Sequence, residues 1–130
     1  NHYNDLKEML SISDIVFLCI SYSEKNYKFM NFKYFRHMKK NSIFVNTSRG
    51  EAICESSLIK SIKSKRINKS AVDVVSNEQE KIDENILIKY SKKNENLLIT
   101  PHMAGLTFES ETKAAQQCFE ILNSYKGVYI

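Results

Sequence analysis

Glycine and proline are scarce in this chain, which has three glycines, one proline and no tryptophan among its 130 residues. The glycines, Gly50, Gly105 and Gly127, are too widely spaced to form G-x-G-x-x-G, the turn that holds a dinucleotide phosphate at the start of a βαβ unit. No apolar run approaches the roughly 20 residues of a membrane span, and residues 1–5 do not resemble a signal peptide. The sequence therefore indicates neither a glycine-rich phosphate site nor a membrane partner. Because the first residue is not methionine, we expect an excised or processed piece of a longer protein.

Cysteine is rare as well, and its three positions are Cys19, Cys54 and Cys118. The number is odd and no two of them have C-x-x-C spacing, which argues against a disulfide scaffold or a zinc site. A reducing cytoplasm is then the simplest location for the protein. We expect each cysteine to behave as a small buried apolar residue.

Charge is nearly balanced, with 19 basic and 15 acidic residues and a net charge of +4. The lysines are scattered or lie near the ends of predicted helices, which is typical of a solvated surface. Aromatic residues do not alternate with them in a nucleic-acid recognition motif, so no nucleic-acid partner is expected. Hydrophobic residues make up 42% of the chain, enough for a packed core.

Short apolar segments alternate with segments of helical periodicity along the chain. The predicted strands are residues 15–20, 43–45, 70–75 and 97–100, and the predicted helices are residues 5–10, 32–39, 56–64, 84–90 and 108–125. The first strand is apolar throughout, which predicts burial on both faces. The last helix has apolar residues at helical spacing, namely Ala115, Cys118, Phe119, Leu122 and Tyr125. Asn4 and Asn31 are the predicted caps of the first two helices. This alternation predicts an α/β fold, a parallel sheet with helices on its faces.

Polar residues follow the end of each predicted strand. They are Ser21, then Thr47, Ser48 and Arg49, then Glu78 after Asp73 in the third strand, and finally His102. Because the carboxyl ends of parallel strands lie along one edge, Arg49, Glu78 and His102 could converge there. Arginine suits a carboxylate or phosphate, and histidine gives or takes a proton near neutral pH. A carboxylate beside the histidine orients the ring and favours its protonated form. The alternatives are a solvated arginine in a turn and an ordinary loop histidine.

Three separated segments together resemble a known family. They are residues 46–50 (Asn-Thr-Ser-Arg-Gly), residues 71–74 (Ala-Val-Asp-Val) with Glu78 beyond them, and residues 98–102 (Leu-Ile-Thr-Pro-His). Their order and spacing resemble the D-isomer-specific 2-hydroxyacid dehydrogenases. The resemblance implies a Rossmann-like parallel sheet with flanking helices, incomplete because the front half with the glycine-rich turn is absent. Residues 1–130 would then be the later part of an NAD(P)-binding domain, including a C-terminal helix over about residues 107–125.

The resemblance also implies roles for individual residues. Arg49 would bind the substrate carboxylate, His102 would be the general acid and base, and Glu78 would pair with His102. Asp73 would contact the nicotinamide carboxamide. The cofactor-binding positions implied by the family pattern are Ile20, Ser21, Thr47, Ser48, Arg49, Asp73, His102, Ala104 and Gly105. No metal site is implied.

The expected activity is hydride transfer between NAD or NADP and a D-2-hydroxy acid/2-oxo acid pair, in a cytoplasmic homodimer. The choice between NAD and NADP stays open, because the residue that reads the ribose 2′ position belongs to the front half. This chain departs from the family pattern at Cys19 and Ser21, where histidine and proline are usual, and at Gln79, where proline is usual. These departures favour one alternative, a non-catalytic NAD-binding regulator or inactive paralogue on the same fold.

Overall fold

The computed structural model describes residues 4–80, 82–103, 105 and 107–124. The strands are β1 (Ile15–Leu18), β2 (Ser42–Asn46), β3 (Ile67–Val72) and β4 (Leu97–Ile99). The helices are α1 (Leu6–Ile12), α2 (Phe32–Phe35), α3 (Glu55–Lys63), α4 (Ile86–Ser91) and α5 (Phe108–Ser124). The strands form one parallel sheet in the order β1-β2-β3-β4, which confirms the predicted α/β fold.

Helix ends follow local side-chain chemistry, with one correction to the predicted caps. Asn31 caps α2 as predicted, because its side chain accepts a hydrogen bond from Lys33 N at 2.9 Å. The cap of α1 is Asp5 rather than Asn4, since the Asp5 carboxylate accepts from Lys7 N at 2.8 Å. Asn41 has a φ of 65°, the left-handed conformation expected of it before β2.

The clearest differences from the predicted bounds are in α2 and β3. Helix α2 ends at Phe35, because the amide groups of His37 and Met38 bond to carbonyls three residues back, the pattern of a tightened turn. Strand β3 lies earlier than the predicted residues 70–75, and it ends at Val72. Asp73 therefore stands just beyond the strand, on the loop that leaves the sheet.

The core lies on one face of the sheet. Consecutive strands are neighbours in the sheet, so crossovers of one hand place α2, α3 and α4 on the same side. Phe44 of β2 is fully buried there and meets Phe35 of α2 edge to face, with ring centroids 5.0 Å apart. On the opposite face, Phe17 of β1 is 64% exposed and Leu98 of β4 is 62% exposed. The prediction that the first strand is buried on both faces is therefore wrong, because helices cover only one face.

The long helix α5 is also largely exposed. Phe119, one of the apolar residues at helical spacing, is 65% exposed, and Ala115 and Cys118 are exposed too. Leu122 and Tyr125 lie outside the side chains that are described. Cys19 is exposed as well, whereas Cys54 is half-buried, so the expected burial of the cysteines fails for Cys19 and Cys118. In the described part of the chain, no helix has the length and apolarity needed to cross a bilayer.

Candidate functional site

The turn after β2 is built around the Asn46 side chain. Asn46 is fully buried, and its Oδ1 accepts from Ser48 N at 3.0 Å and from Ser48 Oγ at 2.7 Å. Its Nδ2 donates to the backbone oxygen of Arg49 at 3.0 Å. The strand thus ends, as its polar residues predicted, in a turn held by its own side chains. These hydrogen bonds fix the backbone conformation at Arg49.

The Arg49 side chain is exposed at the carboxyl edge of the sheet. Its Nη1 donates to the Ser48 backbone oxygen at 2.7 Å. It lines an open cleft of about 680 Å³. The other lining residues are Cys19, Ile20, Ser21, Tyr22, Thr47 and Ser48. The cleft therefore combines a cation with small hydroxyl side chains at the ends of β1 and β2.

Gly50 brings this turn against the loop that follows β3. A Cβ at Gly50 would lie 2.0 Å from the Val75 carbonyl carbon and 2.4 Å from Ser76 N. No side chain fits in that space. Glycine at this position is what allows the backbone beside Arg49 to touch the loop that carries Glu78.

Asp73 holds the segment around His102. The Asp73 carboxylate is 5% exposed and accepts a short hydrogen bond from Thr100 Oγ1 and a second from Met103 N at 3.1 Å. These bonds explain why an acid is tolerated at the end of an apolar strand. They flank His102, whose φ of 51° places it in the left-handed region that non-glycine residues rarely adopt.

Glu78 and His102 meet side chain to side chain. Glu78 Oε1 lies 2.6 Å from His102 Nδ1, and the pair is an ion pair when the imidazole is protonated. Both face a mostly apolar cavity of about 450 Å³. The cavity is lined further by Asp73, Val75, Ile82, Ile88, Ser91, Lys92, Ile99, Thr100 and Pro101. Since Nδ1 is occupied by Glu78, Nε2 is the ring nitrogen that can exchange a proton with a substrate.

The structure thus joins some of the predicted site residues and leaves others apart. Glu78 and His102 are in contact, and Asp73 lies beneath them, whereas Arg49 lines the separate cleft with Ile20, Ser21, Thr47 and Ser48. Gly105 is exposed, and a Cβ there would meet nothing within 4 Å. Ala104 lies outside the described residues. In the described ranges, no group of three or more histidine, cysteine or acidic side chains could hold a metal ion.

Sequence reasoning missed the residues that support the Glu78 loop. Glu55 at the start of α3 accepts from Ser76 N at 2.8 Å and from Asn85 Nδ2 at 2.9 Å. Asn85 in turn caps α4. An asparagine directly before an apolar helical segment was the available signal for the cap, whereas nothing in the sequence pointed to Glu55.

The cleft beside Arg49 fits a dinucleotide cofactor. Open α/β sheets bind such ligands in the crevice outside the carboxyl ends of their strands, which is where this cleft lies. Its volume of about 680 Å³ is within the range of small-molecule sites. Ser21, Thr47 and Ser48 offer hydroxyls to polar substituents, and Ile20 offers an apolar surface to a flat ring.

Comparisons with known proteins point to one family. A family model described as the NAD-binding domain of D-isomer specific 2-hydroxyacid dehydrogenases matches residues 1–104. A glyoxylate reductase of Korarchaeum cryptofilum is 32% identical over 124 residues, which cover 95% of this chain and 36% of that protein. The D-lactate dehydrogenase of Escherichia coli is 30% identical over 131 aligned residues, covering 94% of this chain and 40% of that protein.

Solved structures of such dehydrogenases share the fold. A D-isomer specific 2-hydroxyacid dehydrogenase from Lactobacillus delbrueckii ssp. bulgaricus, in its NAD-complexed form, superposes with a TM-score of 0.79 at 26% identity, over 92% of this chain and 38% of that one. The chain spans less than half of the length of each of these proteins. The resemblance inferred from the three motifs is confirmed. Because the family model covers 104 of its 130 residues, this chain belongs to the D-isomer specific 2-hydroxyacid dehydrogenase family, within the NAD-binding domain of that family.

Proposed function

We propose that this chain is the later part of the NAD(P)-binding domain of an oxidoreductase that interconverts a D-2-hydroxy acid and its 2-oxo acid. The observation that carries the proposal is the 2.6 Å contact between Glu78 Oε1 and His102 Nδ1, at the sheet edge where Arg49 also lies. A histidine held by a carboxylate is suited to proton transfer, and an arginine at the same sheet edge is suited to a carboxylate substrate. Relatives named glyoxylate reductase and D-lactate dehydrogenase support a small acid as the substrate.

Each catalytic side chain has a separate task. Arg49 binds the carboxylate of the substrate through its fork of N–H donors. In the reducing direction, protonated His102 donates from Nε2 to the C2 oxygen as that oxygen gains negative charge. Glu78 keeps the ring oriented and favours the charged imidazole before the proton is given up. In the oxidising direction, neutral His102 takes the hydroxyl proton from the same oxygen.

The cofactor is NAD or NADP, and when bound it supplies or accepts the hydride at C2. Ile20, Ser21, Thr47 and Ser48 would hold it from the cleft at the ends of β1 and β2. Arg49, Asp73 and His102 would border it, together with Ala104 and Gly105. A solved relative in complex with NAD and another in complex with NADPH support either choice of cofactor.

The proposal is tested by substitution in the longer protein that contains this chain. We expect His102→Ala and Arg49→Ala each to lower kcat/KM for a panel of 2-oxo acids by about 10²-fold or more, since a positioned general acid contributes about 10²–10⁴-fold. Near-normal kcat/KM in either variant would refute the assignment. Cofactor binding without any turnover by the unsubstituted protein would favour a non-catalytic regulator instead.

We also propose that the longer protein is a cytoplasmic homodimer. The family resemblance supports the dimer, and an odd number of cysteines without C-x-x-C spacing supports a reducing compartment. Light scattering coupled to gel filtration measures the mass directly, and a monomer at micromolar concentration would contradict the dimer.

A further inference from the structure

The loop that carries Glu78 is held by side chains from other elements. This segment, residues 76–80 and here called the Glu78 loop, contains no proline, and Gln79 follows Glu78. Asn77 adopts a φ of 55°, so the backbone reverses sharply just before Glu78. A loop of this kind needs external contacts to present one side chain at a fixed place.

The main external contact is the carboxylate of Glu55. Glu55 Oε1 accepts from Ser76 N at 2.8 Å, and both of its oxygens lie within 3.0 Å of Asn85 Nδ2. Asn85 Nδ2 also donates to the Ser76 backbone oxygen at 3.2 Å. Both the backbone N–H and the backbone oxygen of Ser76, two residues before Glu78, are therefore hydrogen-bonded.

Asn85 ties the same contact to α4. The Asn85 side chain is 8% exposed, and its Oδ1 accepts from Leu87 N at 2.8 Å as the helix cap. Because one oxygen caps the helix, the amide group must donate, and a buried donor requires an acceptor. Glu55 supplies it, so α3, α4 and the Glu78 loop are linked through one carboxylate.

A second carboxylate makes a weaker contact with this loop. Glu51 Oε1 accepts from Asn77 N at 3.2 Å. Both glutamates are half-buried, but Glu55 bonds to two partners at shorter distances, so it restrains the loop more strongly than Glu51 does.

We propose that Glu55 is a positioning residue, whose carboxylate fixes the Glu78 loop so that Glu78 meets His102 Nδ1. The proposal rests on the proposed function, because it needs His102 to transfer a proton. Glu55 touches neither Glu78 nor His102 in the contacts of the described residues and acts through Ser76 and Asn85. Substitution of Glu55 should therefore change kcat, through proton transfer by His102, rather than KM, through substrate binding by Arg49.

The informative substitution is Glu55→Gln in the longer protein. It keeps the side-chain size but turns one acceptor oxygen into a donor that faces the Asn85 amide. We expect kcat for 2-oxo acid reduction to fall about tenfold to a hundredfold, the range for a slightly misplaced group, with KM nearly unchanged.

The reference for Glu55→Gln is Glu78→Gln. Glu78→Gln changes the partner of His102 directly and should lower kcat at least as far. The other charged side chains lining the His102 cavity are Asp73, Glu78 and Lys92, from the end of β3, the Glu78 loop and the end of α4. Glu55→Gln alters none of these groups chemically.

Rescue distinguishes positioning from general loss of stability. Adding Asn85→Asp to Glu55→Gln again sets a donor against an acceptor between residues 55 and 85, and aspartate still caps α4. The bond from residue 85 to the Ser76 backbone oxygen is lost in this double variant, so we expect it to recover part of kcat. Glu8→Gln on α1 is the matched control for an exposed glutamate and should behave as the unsubstituted protein. If Glu55→Gln does not fold, Glu55→Asp keeps the charge, draws it back by one methylene and gives the same readouts.

The outcomes separate this proposal from the proposed function. If His102→Asn is inactive but Glu55→Gln matches Glu8→Gln, the positioning role is refuted and the function stands. A fall in kcat and melting temperature that Asn85→Asp does not reverse at all also refutes positioning. If His102→Asn keeps normal turnover, the proposed function and the positioning role both fail.

Discussion

At the scale of single residues, two glycines of the same chain have opposite surroundings. Gly50 lies against the Val75–Ser76 peptide, where a Cβ would approach backbone atoms to within 2.4 Å or less, whereas Gly105 faces open space. No larger residue fits at Gly50, because the backbone atoms that it faces cannot move aside as a flexible side chain can. Substitution by alanine, which adds one methyl group, measures the difference between the two positions as a change in the free energy of unfolding.

We expect Gly50→Ala to lower the free energy of unfolding by about 2–3 kcal/mol, the upper part of the range for overpacking. Gly105→Ala is the matched control and should change stability by less than about 0.5 kcal/mol, as at other surface positions. Urea unfolding followed by circular dichroism provides both values. Equal stabilities for the two variants would contradict the close approach at Gly50.

The site was partly predictable at this scale. Arg49, Glu78, Asp73 and His102 could be identified, because each is a chemically distinctive side chain at the end of an apolar segment. The buried support from Glu55 could not be identified, since its partners lie 21 and 30 residues away and only the folded chain brings them together.

At the scale of elements, the first turn of α3 creates a distinctive thiol environment. Cys54 is the residue before α3, and its sulfur accepts from Ser57 Oγ at 3.1 Å and lies 3.4 Å from Ser56 Oγ. Partial burial raises the pKa of the Cys54 thiol, but these hydrogen bonds and the Lys28 charge outweigh it, so the pKa lies below its ordinary value.

We expect Cys54 to react with iodoacetamide with a pH midpoint below that of free cysteine measured in parallel, because the thiolate is the reacting form. The measurement uses a chain with Cys19→Ser and Cys118→Ser, so that a single thiol is followed. Adding Ser57→Ala should raise the midpoint, since the thiolate loses a donor. A midpoint at or above that of free cysteine before that change would contradict the assignment.

Element types were predictable from periodicity, while their surroundings were not. The apolar run of β1 predicted a strand but could not show that Ile15 and Phe17 face an uncovered side of the sheet. Likewise α5 has the predicted helical spacing, yet Phe119 is exposed. Periodicity reports which face of an element is apolar, and the identity of what covers it depends on residues elsewhere.

At the scale of the whole molecule, the chain belongs to an NAD-binding domain family but contains no glycine-rich phosphate turn. We therefore expect the 130-residue chain alone to bind NAD(H) weakly or not at all, because phosphate contacts at such a turn supply much of the binding. Isothermal calorimetry with the isolated chain tests this, with the longer protein as the positive control. Micromolar affinity of the isolated chain would overturn the expectation.

The left-handed backbone at His102 favours glycine for stability, whereas the proposed function needs histidine at this position. Glycine would adopt a φ of 51° more easily, by about 1–2 kcal/mol, and so would suit the turn better than the imidazole does. A screen for heat resistance alone would therefore favour glycine and remove the imidazole that the proposed function requires. Engineering for heat resistance should leave residue 102 unchanged.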